Sequence, residues 1–512
     1  MRPSVLARKS LIFIHRWLGV VLSVLFLLWF ASGVVMMYWT FPSVRAEDRL
    51  ERAPALDASR VRLSPEQAFA SLHTQQAPAQ VRLNSIDGRP VYRFRAGRSE
   101  KIVYADTGEE LAGVDSAMAT RIASGWTGQA ASAATLESMR EVDQWTVQGT
   151  LRNLRPLWKV AWPNGEQVYV SGISGDVVQY TTSESRFWAY LGAIPHWFYF
   201  TPLRKHQAEW SRFVIWTSGA GTIAAALGLA IGIWMYSPSK RYRHGGAATS
   251  IPYRGQKRLH AIFGLIFGIG AVTWAVSGML SMDPFPAPTP RAERGADIAR
   301  ALRGRFQLGA FQPKSPSEAL LQLSDLKVRE IELTSIAQEP VYLATMARGD
   351  TRIVPLRGAP SMEVGADRVI AIIRRSLDTA DIAELRLLKE YDAYYLDRHR
   401  ERPLPVVYLR LNDAGHTRYY IDPKTARVAG TYNSRSWISR WLYHGLHSLD
   451  FPWLYKHRPL WDIVVLGFMT GGTALCVTSL ILAWRVVTRK LMLLFGTDRE
   501  PAPSEDLIDV LK

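Results

Sequence analysis

The chain has 512 residues, 48% of them hydrophobic, with one cysteine and a formal charge of +17. That length calls for several domains. The lone Cys476 excludes an intrachain disulfide, a cysteine-ligated iron–sulfur cluster and the attachment motif of c-type haem. The surplus of Lys and Arg is the kind that gathers beside membrane helices, so no nucleic-acid partner is expected.

The first element is Leu11–Tyr38, LIFIHRWLGVVLSVLFLLWFASGVVMMY, and from Trp17 to Val44 the chain carries no Asp, Glu, Lys or Arg. This exceeds the roughly 20 apolar residues that cross a bilayer. It predicts a membrane helix over about 11–40, and similar runs predict others over about 212–236, 258–282 and 462–486. A cleaved signal peptide is the plainer reading of the first helix, but the run is too long and its echo in mid-chain cannot be cleaved. Basic flanks orient the helices. Arg2, Arg8 and Lys9, then Lys240, Arg241, Arg243, Arg254, Lys257 and Arg258, then Arg485, Arg489 and Lys490 belong on the cytoplasmic side. Residues 43–210 and 284–460 are then outside. The expected division is 1–42 for the first membrane helix, 43–185 for an external domain and 186–240 for an interfacial segment with the second helix. The loop 241–257 is cytoplasmic, followed by the third helix over 258–283 and a second external domain over 284–436. An interfacial segment with the fourth helix covers 437–488, and 489–512 is a cytoplasmic tail.

The chain repeats itself. An offset of 245 carries His15 onto His260, Gly19 onto Gly264, Trp29 onto Trp274, Ser32-Gly33 onto Ser277-Gly278 and Met37 onto Met282. An offset of 251 carries His196 onto His447, His206 onto His457, Trp210 onto Trp461 and Gly221-Thr222 onto Gly472-Thr473. The external segments match as well. Ser64-Pro65-Glu66-Gln67 and Ser315-Pro316-Ser317-Glu318 both read as capping boxes. Pro90-Val91-Tyr92 and Pro340-Val341-Tyr342 read as strands, Asp143 pairs with Asp392 and Pro156 with Pro405, and Val168–Val177 aligns with Tyr419–Val428 as a hairpin. The expected fold is therefore membrane α+β, with four transmembrane helices in a parallel internal duplication. Two external α+β domains complete it, each a helix on a small sheet used twice.

A single histidine at a helix mouth is ordinarily a polar interfacial residue. His73, His244, His399 and His416 have no counterpart in the repeat and stay in that class, and His444 lacks one too, although it lies close to His447. His15 and His260 differ, because symmetry lets them face each other at the cytoplasmic end. Two neutral imidazoles approaching from opposite sides form the axial geometry of a b-type haem. Gly19 and Gly264, at i+4, lie on the same helical face. A flat macrocycle needs such a face bare, while close helix packing is the plainer reading. His196 and His447 form a second pair on the external side and are the candidates for an outer haem. His206 and His457, beside Arg204, Lys205 and Lys456, are a reserve ligand pair or contacts for substrate or propionate. Trp29 and Trp274, about 21 Å deeper than the first histidines, fit either core packing or a shortened electron path. Met37 and Met282 fit soft ligation or gap filling. No Gly-rich nucleotide loop, zinc-protease motif or nucleophile elbow occurs.

The opening His15-Arg-Trp-Leu-Gly19, its echo Leu259-His260 with Gly264, the Pro-Val-Tyr strands, the Asp422-Pro-Lys-Thr425 turn and Leu446-His447 resemble the PepSY-associated transmembrane family over nearly the whole chain. Some members of that family are integral-membrane siderophore reductases with two b-type haems between four helices. The resemblance implies PepSY-like external domains, two haems b, a cytoplasmic-side electron donor and a periplasmic ferric chelate whose iron leaves as Fe(II). It also implies a bacterial inner membrane, with both termini cytoplasmic. This chain departs from the shorter members in its large duplicated external domains. Arg93, Arg95, Arg98 and Arg152 there attract anionic chelates or are plain solvated surface. The rival reading is a non-enzymatic, membrane-anchored PepSY binding or inhibitory protein. A metal-ion transporter is a third, weakened because the uncharged runs hold no carboxylate.

Overall fold

A computed structural model describes residues 3–74, 76–244, 246–285, 293–397 and 401–495. Arg2, His399 and the tail from 496 lie outside the described residues. The chain divides into a helical unit, Met1–Phe41 with Glu184–Ala287 and Trp437–Lys512, and a sheet unit, Pro42–Ser183 with Pro288–Ser436.

Four helices of the helical unit are long and apolar enough to cross a membrane: Pro3–Met36, Gln207–Met235, Gly255–Leu280 and Leu460–Leu494. The first begins and ends earlier than expected. Proline is tolerated in a first turn, so the helix accommodates Pro3. Its exit is pinned where Trp39 stacks on Trp188, with centroids 3.9 Å apart and planes at 11°. The fourth runs past the expected 486 to Leu494, with neither Gly nor Pro between Cys476 and Leu494. The first helix packs on the fourth and the second on the third, and each pair also touches across. Glycines make room for rings at these crossings. A Cβ at Gly472 would overlap Phe30, one at Gly471 would overlap Phe267, and one at Gly221 would come within 3.2 Å of Phe26. A short hairpin, Tyr242–His244 with Ala247–Thr249, joins the second and third helices.

In chain order the strands are β1 (Gln80–Ile86), β2 (Arg89–Ala96), β3 (Ser99–Tyr104), β4 (Thr135–Met139), β5 (Leu157–Ala161), β6 (Gln167–Ser171) and β7 (Val177–Thr181). The hairpin just described is β8 and β9. Then come β10 (Glu330–Ile336), β11 (Glu339–Ala347), β12 (Asp350–Pro355), β13 (Ile382–Leu388), β14 (Val406–Leu411), β15 (Arg418–Asp422) and β16 (Arg427–Tyr432). Two meanders join through β1 and β10 into one six-stranded sheet, β12-β11-β10-β1-β2-β3, so the two expected external domains share one sheet and form one unit. The central register places Val81 opposite Leu333, Arg82 opposite Glu332 and Leu83 opposite Ile331. Separate sheets β4-β5-β6-β7 and β13-β14-β15-β16 pack through apolar cores on Ile86, Val91 and Val170 in one half and Ile336, Leu409 and Ile421 in the other.

Local chemistry repeats between the halves. Both capping boxes form, with Gln67 N–H donating to Ser64 Oγ and Glu318 N–H to Ser315 Oγ, each at 3.2 Å. The Tyr92 and Tyr342 hydroxyls donate to the carbonyls of Leu63 and Lys314, which approach those boxes. Asp143 and Asp392 each cap a turn through one carboxylate oxygen. The other oxygen accepts from Tyr169 or Tyr420, at 2.6 and 2.8 Å. One expectation is overturned: Arg93 is not a surface charge. Its side chain is 3% exposed and clamped by Glu100 and Asp176 at 3.1 and 2.9 Å, because its position on β2 points between the two sheets of its half.

Candidate functional site

The helical unit brings both expected histidine pairs together. His15 of the first long helix and His260 of the third face each other with ring centroids 6.2 Å apart and planes at 38°. The His15 Nδ1 lies 3.0 Å from the Ala224 carbonyl, which can only accept, so Nδ1 carries the proton. The His260 Nδ1 lies 3.2 Å from Thr478 Oγ1, whose own proton goes to the Leu475 carbonyl at 2.7 Å. Thr478 Oγ1 therefore accepts, and Nδ1 again carries the proton. The Nε2 atom of each ring is left with the lone pair. Gly228 seats the first ring, since a Cβ there would stand 2.5 Å from His15 Cε1. Gly19 and Gly264 leave their face open: a Cβ at either would meet nothing closer than 3.9 Å.

The second pair is carried by two short helices, Ala193–Trp197 and Leu446–Ser448. Each helix ends two residues after its histidine on a left-handed residue, Phe198 at φ 53° and Leu449 at φ 51°. Each is also anchored by a tryptophan of the following long helix. Trp210 Nε1–H donates to the Trp197 carbonyl at 2.7 Å and Trp461 Nε1–H to the Ser448 carbonyl at 3.1 Å. So held, His196 and His447 face each other with centroids 6.1 Å apart and planes at 74°. Their Nδ1 atoms lie 3.0 Å from Ser32 Oγ and Ser277 Oγ. Both serines donate their own protons to carbonyls one turn back, including Trp29 and Trp274 at 3.2 Å, so they accept from the rings. The adjoining Gly33 and Gly278 give the rings room, with Cε1 3.7 and 3.8 Å from where a Cβ would stand. This is what the repeated Ser-Gly pair does, and the Nδ1 partners are roles that the pattern alone does not disclose.

A partly open cavity adjoins this second pair, lined by His196, His447, Trp29, Trp274, Met282 and Tyr443 among others. The Trp274 indole N–H is buried without an acceptor among the described residues, and an occupant bearing one would satisfy it. Met37 is not at the cavity but packs with Trp461 and Leu454. His206 and His457 are exposed at the starts of the second and fourth long helices and do not line the cavity.

An imidazole nitrogen sits about 2 Å from a first-row metal ion, so two rings in trans have centroids about 6 Å apart. Both pairs meet that spacing. Nδ1 held by an outer partner is the arrangement that orients a ligating histidine. Among the described residues no three His, Cys, Asp or Glu side chains gather as a metal cluster. The two Nε2 atoms of each pair are the chain's donors that could hold a metal-bearing cofactor. No family model matches the chain, and no curated protein matches it.

Proposed function

We propose that the protein is an inner-membrane b-type haem protein of the PepSY-associated transmembrane kind, passing electrons outward to a periplasmic ferric chelate of the siderophore class. The observation that carries this is the pair of opposed imidazole couples, each with Nδ1 engaged and Nε2 holding the lone pair. A haem bound at each couple supplies reversible one-electron chemistry. The chain's own work is to orient the imidazoles, to keep Gly19 and Gly264 open beside them, and to exclude water with aromatic walls.

His15 and Ser32 share one helix, 17 residues apart, which separates the two centres by about 25 Å along its axis. A hydrocarbon core is about 30 Å thick, so two centres reach most of the way across it where one does not. The shared strand order and matching local bonds of the two halves support an internal duplication. The basic residues around the hairpin support a cytoplasmic side for His15 and His260, where a reduced donor would deliver electrons.

Purified from haem-replete cells, the protein should show the Soret and reduced α-bands of low-spin b-type haem, at about two haems per chain. His15→Ala and His447→Ala should each remove about half of that absorbance. A colourless, folded preparation overturns this reading and favours a membrane-anchored binding module.

A further inference from the structure

The two halves of the helical unit differ sharply at two adjacent positions beside the second histidine pair. The offset that aligns His196 with His447 aligns Gly192-Ala193 with Tyr443-His444. In the first half nothing can extend outward there. A Cβ at Gly192 would stand 2.9 Å from Val35 Cγ1, and Ala193 is wholly buried. In the second half a π-helix, Ile438–Gly445, leads into the ligand helix. Such widened turns re-aim side chains and recur at functional sites. Tyr443 stacks on His447, with centroids 5.2 Å apart and planes at 26°, and His444 meets Tyr443 edge-on at 5.0 Å. His447 and Tyr443 line the cavity, whereas His444 is exposed. Three rings in succession therefore lead from the candidate centre to the surface, through two positions that hold no ring in the other half.

We propose that Tyr443 and His444 are the port through which electrons leave the second centre for a soluble one-electron acceptor of the ferric-chelate class, docked over His444. This rests on the haem reading above. One electron leaves the centre and one ferric ion in the chelate becomes ferrous. No bond is made or broken in the protein, and both rings end the transfer unchanged. Electronic coupling falls steeply with separation, so rings in contact are the short route. The equivalent positions of the first half, Gly192 and Ala193, carry no ring.

The test uses the full chain in nanodiscs, reduced with dithionite, freed of excess reductant and mixed with ferric EDTA in a stopped-flow instrument. Tyr443→Leu should slow reoxidation by about tenfold, while Tyr443→Phe, which keeps the ring, stays near wild type. His444→Ala should slow it several-fold with haem content and spectra unchanged. If Tyr443→Leu loses haem, His444→Ala decides, because that side chain is exposed and its loss leaves the core intact. Haem-loaded variants that reoxidise at the wild-type rate overturn the port and leave the haem reading standing. A wild-type protein without haem, seen in the absorbance before any kinetics, removes both.

Discussion

Glycine at position 228 is required by what lies over it. The His15 ring rests where its side chain would be, and a Cβ 2.5 Å from Cε1 cannot be accommodated without moving the ring or its helix. Gly228→Ala should therefore displace His15 from the Ala224 carbonyl and lower haem content to about half, leaving the second centre loaded. The pyridine-haemochrome ratio per chain measures this, and full occupancy in the variant would count against His15 as a ligand. Nothing in the sequence points to Gly228, because its counterpart under the repeat is Ser479 and the pattern breaks there. Ser32 and Ser277 were visible as a repeated Ser-Gly pair, yet their partners lie 164 and 170 residues away. The histidines themselves were legible because symmetry demands a reason for a polar residue in an apolar helix. The hydroxyls beside them were not, since serine in a membrane helix has packing as its ordinary explanation.

At the level of elements, the seam between β1 and β10 has the register of a two-fold axis. Arg82 and Glu332 are 250 residues apart and directly opposite, while the residues on either side exchange partners. In a seam between identical strands the same side chain would meet itself at that point. Here the opposed positions carry opposite charges whose side chains find other partners: Arg82 reaches Glu100 and Glu330, while Glu332, 8% exposed, is approached by Arg303 and Arg427. Glu332→Arg would set three guanidiniums together, its own with those of Arg303 and Arg427, and remove the carboxylate between them. It should cost about 1–3 kcal/mol, since Glu332 is buried but both arginines are more than a third exposed. Urea unfolding followed by tryptophan fluorescence reads the loss, and a change below about 1 kcal/mol would mean that the seam charges are solvated. The strands and both capping boxes were legible from alternation and cap residues. Their union in one sheet was not, because a pairing over such a separation leaves no mark on local periodicity.

On the scale of the whole molecule, charge is distributed by unit, and the two units should respond to different variables. In the sheet unit, burial alone would raise the Asp176 carboxyl, but the Arg93 and Arg49 guanidiniums, with hydrogen bonds from Ser174 and Arg93, hold it below its ordinary value. Asp106 is lowered as well, chiefly by the hydrogen bond from Arg89. Such carboxylates contribute stability that is complete above the unfolded aspartate pKa of about 3.9 and is lost as pH falls through the lowered folded values. The urea midpoint should hold steady from neutral pH down to about 4 and then fall, and Asp176→Asn should flatten that fall. An unchanged profile in the variant would remove Asp176 from the account. In the helical unit the asymmetry concerns sidedness. From Phe213 to Met282 the chain has no Asp or Glu, while Lys240, Arg241, Arg243, Arg254, Lys257 and Arg258 crowd the short connection between two long helices. The positive-inside tendency assigns such a connection to the cytoplasmic side, and the outward electron flow proposed above rests on that assignment. Cys476, buried and the only cysteine, makes the test clean. In a Cys476→Ser background, Ser239→Cys should react with a membrane-impermeant maleimide only in inverted vesicles, and Ser99→Cys, exposed at the start of β3, only from outside intact spheroplasts. Labelling of both from the same side would reverse or abolish the assigned direction, and the outward reduction of a ferric chelate would fall with it.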